Sequence, residues 1–134
     1  MKFVLGLVLG LFLFGASVAH AGPVGTFDVS GSNPGGNSGG YSGSVKITRT
    51  GNTYKVVWQV GNSQFIGTGI GASNVKGMVT FGQAAENDTA ITVSYVSDNS
   101  FGLALFVEQP NGQWQGIWTY GGSETIGTEN WTRR

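Results

Sequence analysis

From Thr26 onward, apolar and polar residues alternate with period two in short runs and never settle into a helical period. Runs near 26–31, 41–49, 53–60, 64–71, 74–81, 90–97, 101–108, 113–120 and 124–132 are rich in Val, Ile, Thr and aromatic residues, the composition of half-buried strands. Breakers separate them: Asn33-Pro34-Gly35-Gly36, Gly51-Asn52, Gly61-Asn62, Asp98-Asn99 and Pro110-Asn111-Gly112. The last reads as a tight hairpin, because Asn-Gly accepts the positive φ angles of a type I′ turn. The pattern predicts an all-β fold, an antiparallel meander of eight to nine strands closed into a small barrel.

The second half of the chain echoes the first. Setting 41–70 against 101–130, an offset of 60 residues, aligns Trp58 with Trp118, Gly61 with Gly121, Ser63 with Ser123, Gly67 with Gly127 and Thr68 with Thr128. Tyr54 falls on Trp114, and the turn at Gly51-Asn52 falls on Asn111-Gly112. An even offset keeps each strand residue on the same face in both copies, so Tyr54, Val56, Trp58 and Val60 are answered by Trp114, Gly116, Trp118 and Tyr120. This aromatic face is the inner one, and two related units close around a common interior.

Extending the parity along the chain places Phe27, Val29, Val45, Ile47, Phe65, Val75, Val79, Phe81, Ile91, Val93, Tyr95, Phe101, Leu103 and Leu105 inside. Gly43, Gly67, Gly77, Gly116 and Gly127 join them. An inward glycine opposite an inward Trp or Tyr makes room for the large ring in a narrow barrel. Two interiors fit this pattern. One is a core filled by side chains, which the matching of glycine to aromatic favours. The other is a partly open cup in which Tyr54, Trp58, Trp114, Trp118 and Tyr120 line a site for a small apolar or planar ligand. Arg49 and Glu129 also have inward parity near strand ends, where a charge plugs the barrel rim or meets a ligand.

The start of the chain changes the inventory of possible chemistry. Lys2, the apolar run 4–14 and the small-x-small site Ala19-His20-Ala21 predict a secretory signal peptide over 1–21, followed by a single barrel domain over 22–134. Cleavage after Ala21 removes the one histidine, and the chain has no cysteine. The mature protein then has no disulfide, no thiol or Ser-His nucleophile and no nitrogen or sulfur ligand set for zinc or copper. No metal or other cofactor is called for. Loss of Lys2 leaves one more acidic than basic residue with no basic stripe, which disfavours nucleic acid and anionic membrane as partners.

An enzyme would have to rely on carboxylates, Tyr or Arg alone, and the spacing disfavours a glycosidase-type pair. Glu86 and Asp88 share a loop, Glu108 has outward parity, and Glu124 and Glu129 face opposite sides of one strand. The Gly/Ser/Asn tract over 31–43 lacks the Lys-Ser/Thr of a phosphate-binding loop and reads as a long flexible connection.

The runs Gly25-Thr26-Phe27-Asp28-Val29-Ser30-Gly31, Asn33-Pro34-Gly35-Gly36, Tyr41-Ser42-Gly43-Ser44-Val45, Tyr54-Lys55-Val56-Val57-Trp58 and Phe65-Ile66-Gly67-Thr68-Gly69 resemble a group of small exported bacterial proteins, some labelled fibronectin-binding. In architecture the chain is similar to the calycins, the lipocalin and avidin-type barrels, with Gly25-Thr26-Phe27 standing where lipocalins carry Gly-x-Trp. The resemblance implies export to the periplasm or beyond and a calycin-like barrel, and leaves the ligand open.

These readings converge on an exported, non-enzymatic binding or interaction protein. It would hold a small apolar ligand in its aromatic interior, or a protein partner on loops such as 31–40 and 84–89. The alternatives are a structural envelope or matrix protein, favoured by low charge and abundant Gly, Asn and Ser, and a carboxylate-dependent hydrolase.

Overall fold

The computed structural model describes residues 21–36 and 39–134, so the signal segment expected over 1–21 lies, apart from Ala21, outside the described residues. Among the described residues alternation yields nine strands: β1 (Gly25–Ser32), β2 (Gly40–Thr50), β3 (Thr53–Val60), β4 (Ser63–Val75), β5 (Met78–Phe81), β6 (Ala90–Ser97), β7 (Ser100–Glu108), β8 (Trp114–Tyr120) and β9 (Gly127–Arg133). Eight of them form a closed antiparallel barrel in the order β1-β2-β3-β4-β6-β7-β8-β9, with β9 returning to pair with β1. Closure satisfies both edges of every ring strand, which an open meander would leave unpaired.

Three hairpins have the tight form that their sequences predict. Only two residues separate Thr50 from Thr53, Val60 from Ser63 and Ser97 from Ser100. The first loop residue has positive φ in each: Gly51 at 61°, Gly61 at 57° and Asp98 at 47°. Such turns match the twist of the flanking strands.

The loop between β7 and β8 departs from the expected type I′ hairpin. Gly112 N–H donates to the Gln109 carbonyl at 2.9 Å and Gln109 N–H to the Gln113 carbonyl at 2.7 Å. Pro110 and Asn111 therefore form the centre of the turn, with Gly112 after it at φ 81°. This slips the pairing by one residue relative to the β2–β3 hairpin. Trp58 lies opposite Val45, whereas Trp118 lies opposite Ala104 and not Leu105.

A one-residue slip sends every side chain of a strand to the other face. Gly102, Ala104 and Phe106 consequently point inward, while Phe101, Leu103 and Leu105, expected inside, are 66%, 55% and 45% exposed. Glu108, expected outside, shares the inner face of its partner Trp114.

The two runs expected at 64–71 and 74–81 also differ. The long strand β4 carries through the first and beyond the barrel, and the short β5 folds back on its overhang. Val75, Gly77, Val79 and Phe81, expected inside, lie exposed on this projection. The tract expected as a long loop over 31–43 is strand at both ends, since β1 extends to Ser32 and β2 begins at Gly40.

Inside the barrel one half is solid. Phe27, Val45, Ile47, Tyr54, Val56, Ile91, Val93, Phe106, Trp114 and Trp131 are buried there, with Phe106 stacked on Trp131 at 3.7 Å. The segment 84–89, expected as a partner-binding loop, is folded against this end. Ala84 N–H donates to the Asn52 carbonyl at 3.0 Å and Thr89 N–H to the Ala72 carbonyl at 2.9 Å. Ala84 and Asp88 are buried, and Asp88 accepts from Tyr54 Oη at 2.5 Å and from Ala85 N–H at 3.0 Å. Arg133 caps the same end, with its guanidinium 4.5 Å from the Phe27 ring centre and donating to the Val24 and Gly22 carbonyls.

The outer surface is divided. On β1 and β2 it carries Asp28, Ser30, Ser44, Lys46 and Thr48. Across β4, β6, β7 and β8 it is apolar, with Ile66, Val96 and Phe101 in one row and Ile70, Leu105 and Ile117 in another.

Candidate functional site

The other half of the barrel is hollow. A cavity of about 290 Å³ opens at the end bearing the β1–β2, β3–β4, β6–β7 and β8–β9 connections. Its wall is formed by Asn33, Tyr41, Trp58, Val60, Phe65, Tyr95, Ala104, Phe106, Trp118 and Glu129. Seven strands contribute, so no single hairpin contains the site.

Cross-strand pairing explains how the rings fit. Tyr41 lies opposite Gly31, Tyr95 opposite Gly102 and Trp118 opposite Gly127. In each pair a Cβ on the glycine would collide with the partner's ring. The aromatic side chain therefore lies flat over a bare stretch of neighbouring backbone, and the small partner fixes its orientation.

The rings then meet edge to face. Tyr41 and Trp118 are 6.1 Å apart at 75°, Trp58 and Tyr95 5.9 Å at 61°, Phe65 and Tyr95 6.2 Å at 87°, and Tyr95 and Trp118 6.4 Å at 64°. This is the arrangement that ring quadrupoles prefer.

Glu129 forms the polar point of the wall. Its carboxylate is 5% exposed and accepts three hydrogen bonds: from Tyr41 Oη to Oε2 at 2.5 Å, from Trp58 Nε1 to Oε1 at 2.8 Å, and from Trp131 Nε1 to Oε1 at 2.5 Å. Burial pushes its pKa above the ordinary carboxylate value, against the opposing pull of the three donors. Burial, and then the neighbouring Glu129, raises the Tyr41 phenol so that it stays protonated. Tyr95 is pushed up to about 12, again by burial first. Its hydroxyl donates to the Thr119 carbonyl at 3.2 Å, and Trp118 Nε1 donates to the Ser32 carbonyl at 3.2 Å.

Of the residues singled out from the sequence, Trp58, Trp118 and Glu129 come together in this wall. Tyr54 and Trp114 are buried in the solid half. Burial and the bond to Asp88 raise the Tyr54 phenol, and the Trp114 indole N–H has no hydrogen-bond partner. Tyr120 stands at the rim, tilted against Trp118 at 6.3 Å. Arg49 shares the face of Tyr54 but is exposed, and its Nε donates to the Gly51 carbonyl at 2.9 Å. Trp118 is half-buried where Trp58 is buried, so the two are not equivalent.

Tyr41 was missed as a wall residue, although the parity that placed Val45 and Gly43 inside reaches it two positions earlier. Tyr95 and Phe65 were legible as inward but not as neighbours of Glu129.

The chemistry available here is recognition by ring faces and one carboxylate. Among the described wall residues no second carboxylate accompanies Glu129, so the two-acid geometry of glycoside hydrolysis is not assembled. Among the described residues no three His, Cys, Asp or Glu side chains gather into a group that could hold a metal ion, and no helix is long and apolar enough to cross a membrane. No known protein-family model matches the chain, and no curated protein matches it either.

Proposed function

We propose that the mature chain is an exported, non-enzymatic barrel that binds a small, largely apolar molecule in the aromatic cup. The observation that carries this reading is the cavity itself, about 290 Å³ walled by aromatic rings with a single buried carboxylate. Ligand pockets start at about 300 Å³ and combine apolar walls with a few placed polar groups. The space stands at the lower end of that range, which suits a small ligand. Export rests on the composition of residues 1–21.

Native mass spectrometry of the protein isolated from its own host tests the reading. A bound small molecule is expected, one whose re-addition changes Trp emission saturably and raises the melting temperature. Trp118→Ala should weaken that binding, while Trp114→Phe, in the solid half, should not. A protein isolated with nothing bound, and unmoved by a panel of lipids, quinones and aromatic compounds, would overturn it.

A further inference from the structure

Resting on the reading of the cup as a ligand site, we infer that its ligand is a protonated amine carried on a small apolar body. The Glu129 carboxylate faces the cavity without a countercharge. Its three partners, Tyr41, Trp58 and Trp131, are neutral donors. Among the described residues no Lys, Arg or His lines the cavity.

The cations of the described residues are placed elsewhere. Lys46 and Lys55 lie on the outer face of β2 and β3, and Lys76 is in the exposed β4–β5 turn. Arg49 is bound to the Gly51 carbonyl, Arg133 to the Val24 and Gly22 carbonyls, and Arg134 to Asp28. A buried carboxylate with no cation beside it is costly, and a ligand that brings one removes the cost.

Two further features select the same chemistry. An ionised carboxylate has about four lone-pair sites. Oε1 of Glu129 accepts two donors and Oε2 accepts one, which leaves Oε2 a site for a donor arriving from the cavity. The rings of Tyr41, Trp58, Phe65, Tyr95 and Trp118 meet one another at 61–87°, so none is lost in a face-to-face stack within this set. Ring faces are negative and attract an ammonium group, Trp most strongly. An anion would instead meet Glu129 head on. A purely apolar molecule would seal the carboxylate in without adding a donor.

Three probes of matched size separate these cases: 2-phenylethylammonium, 2-phenylethanol and phenylacetate, titrated into the mature protein by Trp emission and calorimetry. The ammonium should bind at least about tenfold more tightly than the alcohol, from a charge-assisted hydrogen bond and ring-face attraction together, and phenylacetate should bind weakest. Glu129→Gln should collapse the ammonium-to-alcohol ratio to within about threefold. If that variant does not fold, the ratio in the unaltered protein decides alone. An alcohol that binds as tightly as the ammonium overturns this inference and leaves the cup as a ligand site. Silence from all three at millimolar concentration overturns both.

Discussion

Replacing Gly71 with alanine tests the plug at the solid end with a single methyl group. Gly71 lies on the inner face of β4 opposite Ile91. A Cβ there would collide with the Asp88 carboxylate and stand 3.0 Å from the Tyr54 ring. The carboxylate is not a free chain end, because it is held by Tyr54 Oη and Ala85 N–H. It must give up these bonds to make room.

Overpacking a filled interior costs about 1–3 kcal/mol. A lost hydrogen bond to a charged group adds about 1.5–3 kcal/mol. Alanine recovers about 0.5–1 kcal/mol of chain entropy. The net expectation is a loss of about 2–5 kcal/mol, a large part of the 5–15 kcal/mol that holds a typical domain together.

Urea unfolding followed by circular dichroism and Trp emission measures the loss as a fall in midpoint at constant slope. In an Asp88→Ala background the obstruction is gone, and the same Gly71→Ala change should cost less than about 1 kcal/mol, a coupling of the size found for residues in contact. A loss under about 1 kcal/mol in the unaltered protein, or equal losses in both backgrounds, would show that Asp88 does not seat against Gly71.

The two tryptophans aligned by the 60-residue offset should respond unequally. Trp58→Ala should cost roughly 3–5 kcal/mol in urea melts and half-buried Trp118→Ala clearly less, and equal losses would contradict their placement. The inverted face of β7 is checked by Leu105→Lys, which should shift stability within about ±0.5 kcal/mol, against Phe106→Ala, which removes a buried ring stacked on Trp131 and should cost roughly 3–5 kcal/mol. For Glu129 the folded pKa lies above the ordinary 4.5, so its contribution to stability is complete below that value and is lost as pH rises through the folded pKa. The stability of the unaltered protein relative to Glu129→Gln should therefore fall from pH 4 towards neutrality. A rise over that window would reverse the sign of the shift.

The strands were legible because β-branched and aromatic residues alternate with small and polar ones between strong turn residues, and that signal is local. The face of β7 was not, because 101–107 is apolar at nearly every position and alternates by size, not polarity. Size decides it through neighbours: Gly102 and Ala104 must face in because Tyr95 and Trp118 already occupy the space opposite them. The inward direction of Glu129 could be read from its two-residue spacing to Trp131. Its donors could not, because Tyr41 and Trp58 lie 88 and 71 residues away in sequence. The same holds for Asp88. Nothing within 84–89 marks which acid turns inward, and the choice is made by Tyr54, 34 residues earlier.

The seam between β1 and β9 has a consequence for the order of folding. Every other pairing in the ring joins strands consecutive in the chain or separated by β5 alone, whereas Phe27 pairs with Arg133 and Ser32 with Thr128. A chain that emerges N-terminus first has its opening strands in hand long before their last partner exists. Until β9 arrives, β1 and β8 each keep an unpaired edge, Trp58 lacks its carboxylate, and the cup lacks one wall. Contacts of such long sequence separation place closure among the slow steps of β folding, on the millisecond-to-second scale. Truncation before Gly127 would leave an open sheet, so the last strand makes folding a single late event that completes the site and the ring together.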